Sequence, residues 1–147
     1  MNGSPTNRPG DARREVLRDQ RTDIERVQEQ VSALLAEAGY DDAARFAIRL
    51  AMEEALVNAF RHGNRGETGR AVKLEWSISA DLAEFIVQDE GEGFDPEAVP
   101  DPTLDENLEI PSGRGIMLMR AYMHEVEYLP PGNRIRLRYR RGGKVGA

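Results

Sequence analysis

Apolar positions recur along the chain at two periods, and the change between them separates helices from strands. Ile24, Val27, Val31, Leu34, Leu35 and Ala38 return at helical spacing. Thr22-Asp23-Ile24-Glu25 in front of them is a capping-box pattern, with the Thr hydroxyl on an amide and Glu25 reaching back. Gly39 is the expected stop. A second helix is predicted from Asp41 or Asp42 to about His62, ended by Gly63. Beyond it the period falls to two. Val72, Leu74, Trp76, Ile78 and Ala80 alternate with Lys73, Glu75, Ser77 and Ser79, a half-buried strand. Phe85, Ile86 and Val87 centre another strand that ends at Asp89, with Asp81-Leu82-Ala83 as the turn between the two.

Around Glu15 to Arg18 a short extended segment is expected, and Glu90 to Ser112 reads as loop. Ile116 to Met123 reads as a helix, Val126 and Tyr128 as a short strand, and Ile135, Leu137 and Tyr139 as a last strand. The order is helices, hairpin, long loop, helix, hairpin. It predicts an α+β fold, a two-layer sandwich with helices on one face of a mostly antiparallel sheet.

Composition narrows the class. A chain of 147 residues is one domain of ordinary size. Residues 1–12 carry Gly3, Ser4, Pro5, Pro9 and Gly10 and are expected to be a disordered tail; the folded domain is expected over 13–141, with a tail at 142–147. Acids outnumber bases by 26 to 20, which argues against generic binding to duplex nucleic acid. The absence of cysteine excludes a disulfide framework, a thiol nucleophile and thiolate zinc sites. Two histidines argue against a histidine-rich metal centre. No apolar run approaches the roughly 20 residues of a membrane span, and the polar start is not a signal peptide, so the expected compartment is the cytoplasm.

The second helix carries adjacent glutamates that are not equivalent. On a wheel of about 100° per residue, Glu53 lines up with Arg45 and Arg49 in a charged stripe. Glu54 falls among Ala44, Ala47, Ala51 and Ala55, with Asn58 and then His62 at successive turns. Glu54 and Asn58 at the edge of a packed face can simply bond backbone or water. Small neighbours also let a ligand approach, and a carboxylate with a carboxamide suits a hard cation such as Mg²⁺. The carboxylate can alternatively deprotonate a hydroxyl. His62 by itself reads as a helix-terminal hydrogen-bonding residue.

Glycines mark two further places. Asp89-Glu90-Gly91-Glu92-Gly93 follows a strand directly, where an aspartate can accept from a ligand amino group. Ser112-Gly113-Arg114-Gly115 opens a helix and exposes amides at the positive end of its dipole, with Arg114 able to add a phosphate contact. Taken singly, the first also reads as a surface loop and the second as a flexible helix start. Neither a Walker A loop nor a dinucleotide fingerprint is present.

In this order, Glu54-x-x-x-Asn58, Asp89-x-Gly91-x-Gly93 and Gly113-Arg114-Gly115 resemble the N box and two glycine boxes of the GHKL (Bergerat-fold) ATPases. The string Glu54-Ala55-Leu56-Val57-Asn58-Ala59-Phe60-Arg61-His62-Gly63 is similar to the anti-sigma factor serine/threonine kinases of that group. The resemblance covers about residues 14 to 141. It implies a Bergerat-type histidine-kinase-like ATPase fold, ATP and Mg²⁺ as cofactors, and phosphorylation of a STAS-domain anti-sigma antagonist that frees or traps a sigma factor. A nucleotide-gated partner-binding module without catalysis is the alternative. The implied roles are Glu54 as general base, Asn58 as Mg²⁺ ligand, and Asp89 on the adenine amino group. Gly91 and Gly93 would shape the pocket, 94–112 would form a lid, and Gly113, Arg114 and Gly115 would meet phosphates, with His62 in the nucleotide-binding set. Many members carry a threonine after the glycine of the last hairpin, helping to hold adenine through water; this chain has Asn133 after Gly132. A homodimer is also implied.

Residues 81–110 hold eleven acids and no base, whereas 131–144 hold six bases and no acid. Arg134, Arg136, Arg138 and Arg140 share one strand face. That stripe reads either as a solvated or edge-protecting face or as a dock for an acidic partner.

Overall fold

The period-two segments pair into one sheet. The computed structural model describes residues 12–67, 69–93 and 113–142. Its strands are β1 (Arg13–Leu17), β2 (Val72–Ile78), β3 (Leu82–Gln88), β4 (Glu125–Leu129) and β5 (Arg134–Arg140). They lie in the order β1-β2-β3-β5-β4, every neighbouring pair antiparallel. The helices are α1 (Gln20–Glu37), α2 (Asp42–Asn58) and α3 (Gly113–Tyr122), with a π-helical turn at Ala59–Gly63 continuing α2. The α+β architecture is the one the hydrophobic pattern predicts.

Alternation decides which face the helices cover. Val72, Leu74, Trp76 and Ile78 of β2, Ala83, Phe85 and Val87 of β3, and Ile135 and Leu137 of β5 are all buried. They meet Ile24, Val27, Val31 and Leu35 of α1, Ile48, Met52 and Leu56 of α2, and Ile116 and Met119 of α3 in one core. Fully burying each large aliphatic side chain contributes about 1.5–3 kcal/mol. The other sheet face carries the charges. Arg138 bonds Glu84 at 2.5 Å and Glu125 at 3.2 Å, Arg140 bonds Glu125 at 2.7 Å, and Arg136 bonds Glu127. β5 is an interior strand, and three of its four arginines are offset by acids on their neighbours. The stripe is therefore the salt-bridged outer face of a sheet and does not protect an edge.

Several local boundaries depart from the expectation: α3 begins three residues before Ile116, at Gly113, and β2 ends at Ile78 before Ala80. The extended segment expected from Glu15 to Arg18 begins two residues earlier, at Arg13. The first helix begins at Gln20, so Thr22 lies inside its first turn and is not the cap. Asp19 caps instead, accepting from the Thr22 N–H at 2.8 Å, while Asp23 accepts from the N–H groups of Arg18 and Asp19. A carboxylate is the stronger acceptor and also offsets the positive end of the helix dipole. The Thr22 side chain and then its N–H hold the Asp19 carboxyl below the usual carboxylate range, and the N–H groups of Asp19 and Arg18 do the same for Asp23. The hairpin turn lies at Ser79–Asp81, and Leu82 and Ala83 belong to β3. Ser79 explains the shift: its backbone N–H donates to Leu82 O, and its hydroxyl accepts from the Leu82 N–H.

The helix ends that position the site follow the pattern more closely. Gly39, at φ 95°, closes α1. Its N–H donates to Ala36 O and the Tyr40 N–H to Leu35 O, the paired bonds of a Schellman motif. Asp41 caps α2 through the Ala44 N–H at 2.8 Å. Gln28 is buried and donates to Arg49 O and to the Glu53 carboxylate, so the charged stripe is tied to α1. The expected tails at 1–12 and 142–147 fall almost entirely outside the described residues, as does 94–112.

Candidate functional site

α2 and α3 converge on Glu54, Asn58 and Gly115. A Cβ placed on Gly115 would lie 2.7 Å from Glu54 Oε2 and 3.2 Å from Asn58 Nδ2. Glycine at the start of α3 is what lets the helix sit against these side chains. Ala44, Ala47, Ala51 and Ala55 are all buried, Glu54 is half-buried and Glu53 is exposed. The wheel's distinction between the two glutamates thus matches their burial. Asn58 is only 7% exposed, and its amide nitrogen has no partner among the described residues. A buried polar atom without a partner costs about 1–3 kcal/mol, a debt that a ligand at this point can remove.

Past Asn58 the hydrogen bonding changes from i, i−4 to i, i−5, as Asn64 N–H donates to Ala59 O. His62 sits half-buried on this turn, where the α-helical wheel no longer sets its direction. The turn delivers Gly63 against Asp89: a Cβ on Gly63 would be 2.0 Å from Asp89 Oδ2. α2 and its extension therefore touch both the α3 glycine and the aspartate after β3.

Asp89 is held in a turn by hydrogen bonds from several sides. Its N–H donates to Asn133 O at 3.0 Å, and its Oδ1 accepts from the Gly91 N–H at 2.7 Å. Burial raises its pKa to about 6, against lowering by the Gly91 bond and by Arg70. Gly91 lies so near Gly63 that a Cβ would be 2.2 Å from the Gly63 carbonyl oxygen. Gly93, at φ 91°, packs on Pro131 O, where a Cβ would lie at 2.3 Å. Gly113 and Arg114 are the first residues of α3, and the Arg114 side chain lies outside the described residues.

Residues without a motif complete the site. Asn64 is 1% exposed; its Nδ2 donates to Ala71 O and its Oδ1 accepts from the Glu90 N–H. Glu90 in turn accepts from the Ala71 N–H. Tyr128 points inward, paired across the sheet with Ile135. Burial first, and then the charges of Asp89 and Glu54, raise its hydroxyl pKa, while Arg120 opposes them. Tyr128 therefore feels both carboxylates. Among the described residues no three His, Asp or Glu side chains group as a metal cage, and no helix is long and apolar enough to cross a membrane.

The fold is that of a histidine kinase-like ATPase domain. The histidine kinase-like ATPase domain matches residues 17–139, and the chain belongs to that family. It is similar to the serine-protein kinase RsbW of Bacillus subtilis (strain 168), 29% identical over 104 residues, covering 65% of this chain and 64% of the relative. RsbW of Bacillus velezensis is 31% identical over 96 residues, covering 60% and 58%. The anti-sigma F factor of Halalkalibacterium halodurans is 33% identical over 82 residues, covering 54% and 56%. The chain thus spans 56–64% of the length of these curated relatives.

Proposed function

We propose that the chain is an ATP-dependent protein serine/threonine kinase. It acts as an anti-sigma regulator on a STAS-domain antagonist and thereby controls a sigma factor. The observation that carries the reading is the convergence of Glu54 and Asn58, whose amide nitrogen has no partner among the described residues, on Gly115 in the first turn of α3. Two similar proteins are named serine-protein kinase, and a third is named anti-sigma F factor. The domain is taken as 13–141, working in the cytoplasm as a homodimer.

The residues present fit nucleotide and metal. Asp89 is desolvated and would accept from a purine amino group; Gly113, Arg114 and Gly115 would meet phosphate, as the resemblance implies. Asn58 would hold Mg²⁺ through its side-chain oxygen, the metal supplying charge neutralisation there, and its orphaned nitrogen is a donor suited to an anionic oxygen. Glu54 takes the proton of the attacking serine or threonine hydroxyl. His62 would lie beside the nucleotide.

Transfer of labelled phosphate to an antagonist recovered from the native cell tests this. Wild type labels a serine or threonine; Glu54→Ala labels it roughly 10²–10⁴-fold more slowly. Stable capture of a sigma factor with intact ATP and no transfer would identify the non-catalytic module instead.

A further inference from the structure

The turn that presents Asp89 is gripped from both sides by asparagines. From the α2 side, Asn64 Oδ1 accepts from the Glu90 N–H at 2.7 Å and Asn64 Nδ2 donates to Ala71 O at 3.0 Å. From the β5 side, Asn133 O accepts from the Asp89 N–H at 3.0 Å, and Asn133 Nδ2 donates to Asp89 O at 3.2 Å and Gly91 O at 3.4 Å. Gly91 N–H closes onto Asp89 Oδ1 from within. The two asparagines are far apart in sequence, and each binds main chain on the turn. The turn also packs directly on Gly63, where a Cβ added to Gly91 would lie 2.2 Å from the Gly63 carbonyl oxygen.

We propose that Asn64 and Asn133 are positioning residues that fix the Asp89 carboxylate for a 6-aminopurine, so that together they set the preference of the site for a 6-amino over a 6-oxo purine nucleotide. This rests on the nucleotide reading above. An acceptor held rigidly gains from a ligand N–H and is left facing another acceptor when the ligand presents a carbonyl. A loose acceptor turns away and loses the distinction. Asn133 acts here on the turn's carbonyls, through the protein and not on the base.

Calorimetric titration of the full chain with ATP and with inosine triphosphate, both with Mg²⁺, tests the pair. The second ligand differs at the purine 6-position by an oxo group. Wild type binds ATP more tightly by about tenfold or more, the scale of one charged hydrogen bond. Asn133→Asp keeps the side-chain volume but removes the donor and sets an acceptor against two carbonyls. It lowers the ATP-to-inosine-triphosphate ratio by about three- to tenfold, with inosine triphosphate affinity nearly unchanged. Asn64→Asp, which keeps the Oδ1 acceptor for the Glu90 N–H but loses the donor to Ala71 O, lowers the ratio less than Asn64→Ala, and a folded Asn64→Ala protein with the wild-type ratio removes Asn64 from the clamp. Asn58→Ala weakens both ligands equally, so a general loss of binding is distinguishable from lost selectivity. A folded Asn133→Asp protein with the wild-type ratio overturns the clamp and leaves the nucleotide reading standing. A wild type that binds both nucleotides equally overturns the clamp and the role of Asp89 together, and one that binds neither overturns the proposed function as well.

Discussion

The site has two ends built in opposite ways. At the Asp89 end the protein bonds to itself: asparagine side chains, a main-chain carbonyl and a backbone N–H fix the turn before any ligand arrives. At the Glu54 end one buried group is left open: the Asn58 amide nitrogen has no partner among the described residues, and the Glu54 carboxylate lies against Gly115. The first end is suited to reading a rigid ring by shape. The second is suited to charge that changes during a reaction, where hydrogen bonds made only with substrate are the useful ones. Glycines serve both ends differently. At Gly91 and Gly93 a Cβ would strike backbone, whereas at Gly115 it would strike the mobile end of a glutamate.

The comparison breaks most visibly in kinetics. Glu54→Ala should cut transfer roughly 10²–10⁴-fold at saturating ATP while leaving ATP affinity close to wild type. Asp89→Asn should do the reverse, raising the ATP requirement while sparing the rate at saturation. Equal losses in both quantities for both variants would erase the division of labour.

Next comes stability. Gly91→Ala and Gly93→Ala force backbone apart and should cost about 1–3 kcal/mol in denaturant unfolding. Gly115→Ala should cost less, because Glu54 can swing aside, yet it should weaken nucleotide binding by narrowing the space beside Asn58. If Gly115→Ala proves the more destabilising, the open end is not open.

The pH dependence sharpens the contrast further. Asp89 has a folded pKa of about 6 against an ordinary value of 3.8. A raised carboxyl pKa stabilises the ligand-free fold below the unfolded value, and that contribution is lost as pH rises through about 6. A ligand N–H favours the ionised form, so binding expels a proton and affinity should rise with pH until it levels above about 6. Subtracting the Asp89→Asn profile isolates this group from the titration of the nucleotide itself.

The smallest effect belongs to the outer sheet face. Arg138→Ala removes ion pairs to Glu84 and Glu125 and should cost about 0–1 kcal/mol, less at high salt. Nucleotide affinity should not change, since the inner and outer faces of β5 are separate.

Much of this was legible one residue at a time. Alternation marked Leu74, Phe85 and Leu137 as inward, and helical spacing separated Glu54 from Glu53, because both depend on local geometry alone. Asp19 and Thr22 both fit a cap by residue type, and the choice falls to Asp19 because Asp23 ties back the Arg18 and Asp19 N–H groups one turn earlier. The β5 stripe was ambiguous because its glutamate partners come from β3 and β4, and strand order is not written in spacing. Asn64, Asn133 and Tyr128 carry no motif. Asn64 follows the N-box string and reads as a turn residue; its role exists only once Glu90 and Ala71 are folded beside it.

Calorimetric titration of the wild-type chain with ATP and Mg²⁺, repeated with Asp89→Asn and Asn58→Ala, tests most directly that both ends grip one ligand. The account predicts saturable one-site binding that each substitution weakens by about tenfold or more. Binding that neither substitution alters, or no binding by the folded wild type, would contradict it.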